Sequence, residues 1–276
     1  MKKVAIQGKA TSYHHQAAKK FFGDSVEIMA RDTFKDVFKS VENGNAQFAI
    51  VAVENSIYAA INPVFDLLLK MNLWVCGEIT LHIHHCLIGL PGARKENLKE
   101  VYSQVMALTQ CQEYLDNNFI SAKHIEHYDT VASVQLVKES KDTSKAAIAS
   151  KEAAEMYHMQ ILDENIEDNP QNFTRFLVLT KEKISNAESN KTSIVLQTPA
   201  DKSAGSLHKA LGAFVGQNIS LSSLNSRPVV GKNWHYMFYI DLAVGVDDLR
   251  FQLSLSQLKD MGCSVTILGS YKGGEN

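Results

Sequence analysis

The sequence predicts an α/β protein, and two patterns carry that prediction. From the start of the chain to Lys181, short apolar runs alternate with helix-length amphipathic segments, the pattern of strands covered by helices. From Thr192 onward the order becomes strand, helix, strand, strand, helix, strand, which is the ferredoxin-like βαββαβ arrangement. A third observation bounds both: 276 residues with 45% hydrophobic content suffice for a full core without disulfide or metal staples.

Strands are expected at Val4–Ile6, Val26–Met29, Phe48–Val53, Ile79–Leu90, Val101–Tyr102, Ala146–Ala149 and Phe176–Leu179. Helices are expected at His14–Phe22, Thr33–Asn43, Pro63–Met71, Ala107–Phe119, Thr130–Glu139 and Lys151–Tyr157, several of them preceded by a capping Ser, Thr or Asp. "KEKISNAESNK", from Lys181 to Lys191, is polar without an apolar period and reads as a linker. The expected division is therefore a first domain over 1–181, a linker over 182–191 and a second domain over 192–272. In that second domain the strands are Thr192–Gln197, Ile219–Val229, His235–Ala243 and Ser264–Tyr271, and the helices Ser203–Gln217 and Asp247–Met261.

Charge points to a small ligand. Lys and Arg total 28 against 30 Asp and Glu, a net charge of -2 with no basic stripe, so neither nucleic acid nor an anionic membrane is indicated as partner. No stretch approaches a membrane span, and the apolar run after Lys2-Lys3 is too short for a signal-peptide core. Cys76, Cys86, Cys111 and Cys263 are scattered without a C-x-x-C pair, as reduced thiols of a cytoplasmic protein are.

Small polar residues gather where strands hand over to helices: Ser12, Ser103, Asp129-Thr130 and Ser150. Helix N-termini beyond the carboxyl ends of strands bind anions, while each such residue read alone is an N-cap. Glu54-Asn55-Ser56 sets a carboxylate, an amide and a hydroxyl together after the apolar run Phe48–Val53. In "NFTRFLVL" the polar Asn172, Thr174 and Arg175 stand at the mouth of a buried strand. Successive side chains there point to opposite faces, so either Thr174 or Arg175 can be structural. His82, His84 and Cys86 share one face of the run Ile79–Leu90 by period-two alternation, but nothing at zinc spacing completes a metal set. His14 and His15 open a helix, either facing a ligand or exposed.

"NFTRFLVL", "VAVENSIYAAINPVFDLL", "HHCLIG", "VYSQVMALTQC", "GSLHKAL" and "NSRP", together spanning nearly the whole chain, resemble the prephenate dehydratase family in its form with a C-terminal ACT regulatory domain. The most specific marks are Thr174-Arg175-Phe176 and Glu54-Asn55-Ser56. No helical segment of chorismate mutase type precedes the first strand, so the single-activity form is expected. The resemblance implies two α/β subdomains around a cleft, similar to type II periplasmic binding proteins, followed by the ACT domain. It implies conversion of prephenate to phenylpyruvate without metal or other cofactor, feedback by L-phenylalanine, and a homodimer or homotetramer. Residues implied as catalytic are Thr174, Arg175, Glu54, Asn55 and Ser56, with Arg175 either clamping a carboxylate or held in a structural ion pair. Ser12, Ser103, Thr130, Ser150, Asn172 and Phe176 are implied as substrate contacts, and Gly205, Ser206 and Leu207 with Asn225, Ser226, Arg227 and Pro228 as the phenylalanine site. Arogenate dehydratase and a non-catalytic amino-acid sensor are the alternatives. The chain departs from the family where the loop G-P-E-G-T-F-S-H-Q reads Gly8-Lys9-Ala10-Thr11-Ser12-Tyr13-His14-His15-Gln16. It departs again where S-H-P-Q-A reads Ser103-Gln104-Val105-Met106-Ala107 and where E-S-R-P reads Asn225-Ser226-Arg227-Pro228.

Overall fold

A computed structural model describes residues 1–184, 188–199, 204–229, 231 and 235–274. Part of the expected linker (185–187) and the expected helix start at Ser203 lie outside them. The first lobe is built from β1 (Lys3–Gln7), α1 (Tyr13–Phe22), β2 (Glu27–Arg31), α2 (Phe34–Glu42), β3 (Phe48–Asn55), β4 (Ala59–Ala60), α3 (Asn62–Lys70) and β5 (Trp74–His82). The second holds β6 (Cys86–Gly89), β7 (Glu100–Ser103), α4 (Val105–Gln110), α5 (Gln112–Asn118), β8 (Lys123–Glu126), α6 (Thr130–Ser140), β9 (Lys145–Ala149), α7 (Lys151–Tyr157) and β10 (Gln160–Glu164). β11 (Phe173–Thr180) then returns to the first lobe. The C-terminal part follows as β12 (Lys191–Gln197), α8 (Ser206–Val215), β13 (Leu221–Pro228), β14 (Tyr236–Leu242), α9 (Leu249–Asp260) and β15 (Ser264–Tyr271).

One sheet runs β13-β14-β12-β15-β5-β11-β3-β1-β2, and a second, β10-β6-β9-β7-β8, forms the core of the other lobe. Period-two alternation explains the long sheet's two-sided burial. Ile50, Ala52, Phe176 and Val178 pack with Ala17 and Ala18 of α1, while Ala49, Val51, Leu177 and Leu179 pack with Val37, Phe38 and Leu68 of α2 and α3. The βαββαβ segment has the ferredoxin-like strand order β15-β12-β14-β13, with Phe214 of α8 and Phe251 and Leu258 of α9 on one face. Its other face, through Met237, Tyr239, Leu268 and Tyr271, shares a core with Phe65 and Leu68 of α3. Where β15 meets β5, at Gly269 and Val75, a Cβ on the glycine would collide with the Val75 carbonyl oxygen, so glycine lets the two sheets join.

The run expected as one strand, Ile79–Leu90, is two strands in different sheets. The chain crosses between lobes at Ile83–His85, and it crosses back alongside, with Ile83 N–H on Asn172 O at 2.7 Å and Ile166 N–H on His85 O at 3.1 Å. His82, His84 and Cys86 therefore do not share one strand face: Cys86 enters the second lobe's core, while His84 Nδ1 pairs with Glu167 at 2.9 Å. The expected helix Ala107–Phe119 breaks at Cys111. β8 and β10, both at the edges of the five-stranded sheet, have no counterpart in the sequence expectation.

Thr11 sits at φ 69, left-handed backbone that a β-branched residue enters at a cost of roughly 1–2 kcal/mol. Its carbonyl accepts from Ser150 Oγ at 3.2 Å, tying the loop after β1 to the start of α7 across the lobes. Thr11→Gly removes the strain but gives back about 0.5–1 kcal/mol of chain entropy. A net gain of about 0.5–1 kcal/mol is expected, read as a melting temperature raised by roughly 1–4 °C; a lower one means the threonine's own contacts outweigh the strain.

Candidate active site

Between the lobes lies a cavity of about 140 Å3, and the β11–β3 pairing sets what faces it. Thr174 stands opposite Asn55 and Arg175 opposite Glu54, and a bulge then pairs Phe176 with Ala52. Thr174 and Phe176, two apart on one face, line the cavity together with Ser12, His14, Gln110 and Thr130. None of the lining residues is Lys or Arg.

Asn55, 1% exposed, organises the wall beneath Thr174. Its Oδ1 accepts the backbone N–H groups of Ile57 and Tyr58 at 3.0 and 2.9 Å, which fixes the amide's orientation without appeal to side chains. Nδ2 therefore donates, to Asn172 Oδ1 at 2.7 Å and to Thr174 Oγ1 at 3.0 Å. Asn55 Oδ1 also receives Gln110 Nε2 at 3.2 Å, which leaves Gln110 Oε1 facing His85 Nε2 at 2.7 Å. That nitrogen must carry the proton. Burial lowers the His85 pKa and raises that of Tyr13 well above its ordinary value, so both are neutral. The Tyr13 hydroxyl lies 2.8 Å from His84 O and 2.9 Å from His85 Nδ1. With Nε2 protonated, Nδ1 is an acceptor, and the Tyr13 hydroxyl, which donates to His84 O, lies beside it. Donation then runs one way: His85 to Gln110, Gln110 to Asn55, Asn55 to Thr174. The Thr174 oxygen receives a hydrogen bond, and its own proton remains for whatever occupies the cavity.

Other implied residues stand elsewhere. Arg175 turns away from the cavity and pairs with Glu54 (3.2 Å), Glu78 (3.2 Å) and Asp241 of β14 (2.7 Å). Burial alone would lower its pKa; Asp241, Tyr271, Glu78 and Glu54 raise it above the ordinary value instead. Of the two roles left open for it, clamp or structural pair, the geometry has the second: an ion-pair hub joining β3, β5 and β11 to the βαββαβ segment, because adjacent strand residues face opposite sides. Glu54 is on that same side. Ser56 Oγ bonds Gln171 O at 2.7 Å and holds the interlobe crossing, Ser103 Oγ is buried against Ile148 O, and Asn172 acts through Asn55 and Gln110. Ser150 caps α7, whereas Ser12 and Thr130 remain in the cavity wall, Ser12 as the cap of α1 and Thr130 at the start of α6 behind its cap Asp129. Gln110, His85 and Tyr13 were not singled out as site residues from the sequence, and His14 only as one of a pair at a helix start; Gln110 stands in the quoted "TQC", a polar residue on a buried helix face.

The sequence model of prephenate dehydratase matches residues 4–184. The chain belongs to the prephenate dehydratase family. It is, as a member, a carbon–oxygen lyase of phenylalanine biosynthesis. A bifunctional chorismate mutase/prephenate dehydratase of Aquifex aeolicus is 37% identical over 98% of this chain and 73% of its own length. Arogenate dehydratase 1 of Petunia hybrida is 36% identical over 98% of the chain and 66% of its own. The crystal structure of prephenate dehydratase from Arthrobacter aurescens in complex with L-Phe superposes with a TM-score of 0.88 at 25% identity, over 98% of this chain and 89% of that one. Among the described residues of this family member, no helix is long and apolar enough to cross a membrane.

Proposed function

We propose that this dehydratase acts on prephenate, with Thr174 as the group that assists departure of the ring hydroxyl. The observation that carries it is the one-way donor chain ending on Thr174 Oγ1, which leaves the hydroxyl proton directed to the cavity. As the ring C–O bond breaks, hydroxide leaves with that proton as water. The C–C bond to the ring carboxylate breaks with it, its electron pair completes the aromatic ring, and carbon dioxide departs; Thr174 regains its proton from solvent. The cavity's lack of cations suits this chemistry. A carboxylate held by neutral donors, such as the N–H groups at the starts of α1 and α6, is not stabilised against becoming neutral carbon dioxide as it would be by a guanidinium.

In this reading the βαββαβ segment is an ACT domain through which L-phenylalanine inhibits. Gly205, with φ 79, caps α8 without a side-chain hydrogen bond at the start of the turn that carries Ser206 and Leu207. Asn225 Nδ2 donates to Ser223 Oγ at 3.0 Å on the edge strand β13, with Ser226 and Pro228 beyond it. Arg227 is held bidentately by Asp66 of α3, so it joins ACT to catalytic lobe rather than meeting the effector. The open edge of β13 suits pairing with a second copy, and four free thiols suit a cytoplasmic setting.

Purified protein incubated with prephenate is expected to release phenylpyruvate; none above the uncatalysed rate removes the reading. L-phenylalanine is expected to inhibit, more tightly in Asn225→Glu, whose carboxylate adds charge to the hydrogen bond with the effector's ammonium. An insensitive native chain assigns the ACT domain to another ligand or to assembly.

A further inference from the structure

The mechanism above gives no role to His14, whose side chain lines the cavity. His14, in the first turn of α1, lies edge-on against Phe176 with ring centroids 5.1 Å apart and tilted against Phe34 at 5.8 Å. Its Nε2 is 3.2 Å from the backbone nitrogen of Ala52, the residue that the bulge pairs with Phe176. A backbone N–H can only donate, so Nε2 is the bare nitrogen and the neutral ring carries its proton on Nδ1. Burial lowers the pKa of His14 to about 4, so the ring is neutral near pH 7. Nδ1–H has no acceptor among the described residues, and the side chain lines the cavity.

Position gives that free donor a meaning. Thr174 and Phe176 are two residues apart on one strand face, about 7 Å. His14, against Phe176, therefore stands toward the end of the substrate ring opposite the hydroxyl that leaves at Thr174. In prephenate that end carries a keto group, which only accepts hydrogen bonds; in arogenate the same atom carries an ammonium, which only donates. We propose that His14 is a specificity residue that selects the keto substrate, its fixed Nδ1–H donating to the side-chain carbonyl and leaving an ammonium facing a donor. Asp129, the one carboxylate among the lining residues, caps α6 through Oδ1, which accepts Ala132 N–H at 2.9 Å. This inference rests on the dehydratase reading and goes beyond it in naming the substrate form.

The test is kcat/KM for prephenate and for arogenate in the native chain, His14→Gln and His14→Asn. Gln can still accept the Ala52 N–H but places no donor where Nδ1 stands; Asn places its amide nitrogen there. The native chain is expected to prefer prephenate by at least about tenfold, the order of one hydrogen bond gained and one mismatch avoided. His14→Gln is expected to narrow that preference about tenfold, through KM for prephenate, and His14→Asn to keep most of it. An unchanged ratio in His14→Gln, an equal loss on both substrates, or a native preference for arogenate overturns the proposal while the dehydratase reading stands. Turnover of neither substrate by the native chain overturns both. Nitrogen NMR of the folded native chain gives an independent check: the Nδ1–H tautomer of His14 supports the proposal, and the Nε2–H tautomer overturns it.

Discussion

Replacing Thr174 by Val lowers kcat by roughly 10²–10⁴-fold and leaves KM for prephenate within a fewfold, the signature of an interaction made in the transition state. Val fills the same space on β11, so the strand and its contact with Asn55 remain. Asn55 does lose an acceptor for Nδ2, but it keeps Asn172 Oδ1 at 2.7 Å and Phe173 O at 3.2 Å. Steady-state kinetics on the folded variant decide the matter. A near-native kcat removes Thr174 from the chemistry, and a raised KM with kcat intact makes it a binding contact only.

Arg175→Met, one residue along, is expected to behave in the opposite way. Arg175 neutralises Glu54, Glu78 and Asp241, and the side chains of the last two are only 5% and 11% exposed. Lys191, 2.7 Å from Glu78, remains after the substitution, but Asp241 loses its cation. Removing one partner from a buried ion pair costs about 3–5 kcal/mol, because the other charge stays buried without compensation. Denaturant unfolding should show that loss, and Arg175→Met combined with Asp241→Asn should recover part of it, since the stranded charge is then gone. Unchanged stability with a large rise in KM would instead return Arg175 to the substrate. The same pair joins the strand that carries Thr174 to β14, whose neighbour β13 carries Asn225. Any influence of an effector on the cleft has a short covalent and ionic path there.

The opposition between these neighbours was legible in the sequence, because a strand sends successive side chains to opposite faces whatever the fold. Which face held the cavity was not. That depends on the helices covering each side, and on the bulge between Arg175 and Phe176, which no local signal marks. That Asn55 and Thr174 each stand in a polar cluster at a strand end was legible; that the two strands set them opposite each other was not. Nor was the rest of the chain of donors, since Gln110 and His85 come from a helix and an interlobe crossing that meet only in the folded molecule. The crossing itself was hidden for a related reason. Ile79–Leu90 keeps an apolar, strand-like composition through the change of sheet, and only the charged and polar partners of His84 and His85 show where it occurs. β8 and β10 are short, and as edge strands they alternate too weakly to stand out against loop sequence. Thr11 shows the converse: the absence of the family's glycine signalled a constraint at that position, and the backbone is left-handed there in spite of the β-branch.

The most direct measurement is a crystal structure of Thr174→Val, slowed in turnover, with prephenate in the cleft. The account predicts the ring hydroxyl in van der Waals contact with the methyl groups of the substituted valine, about 4 Å away, and the carboxylates directed toward the starts of α1 and α6. A substrate bound with its hydroxyl on another wall, or with a carboxylate reaching Arg175, would contradict it.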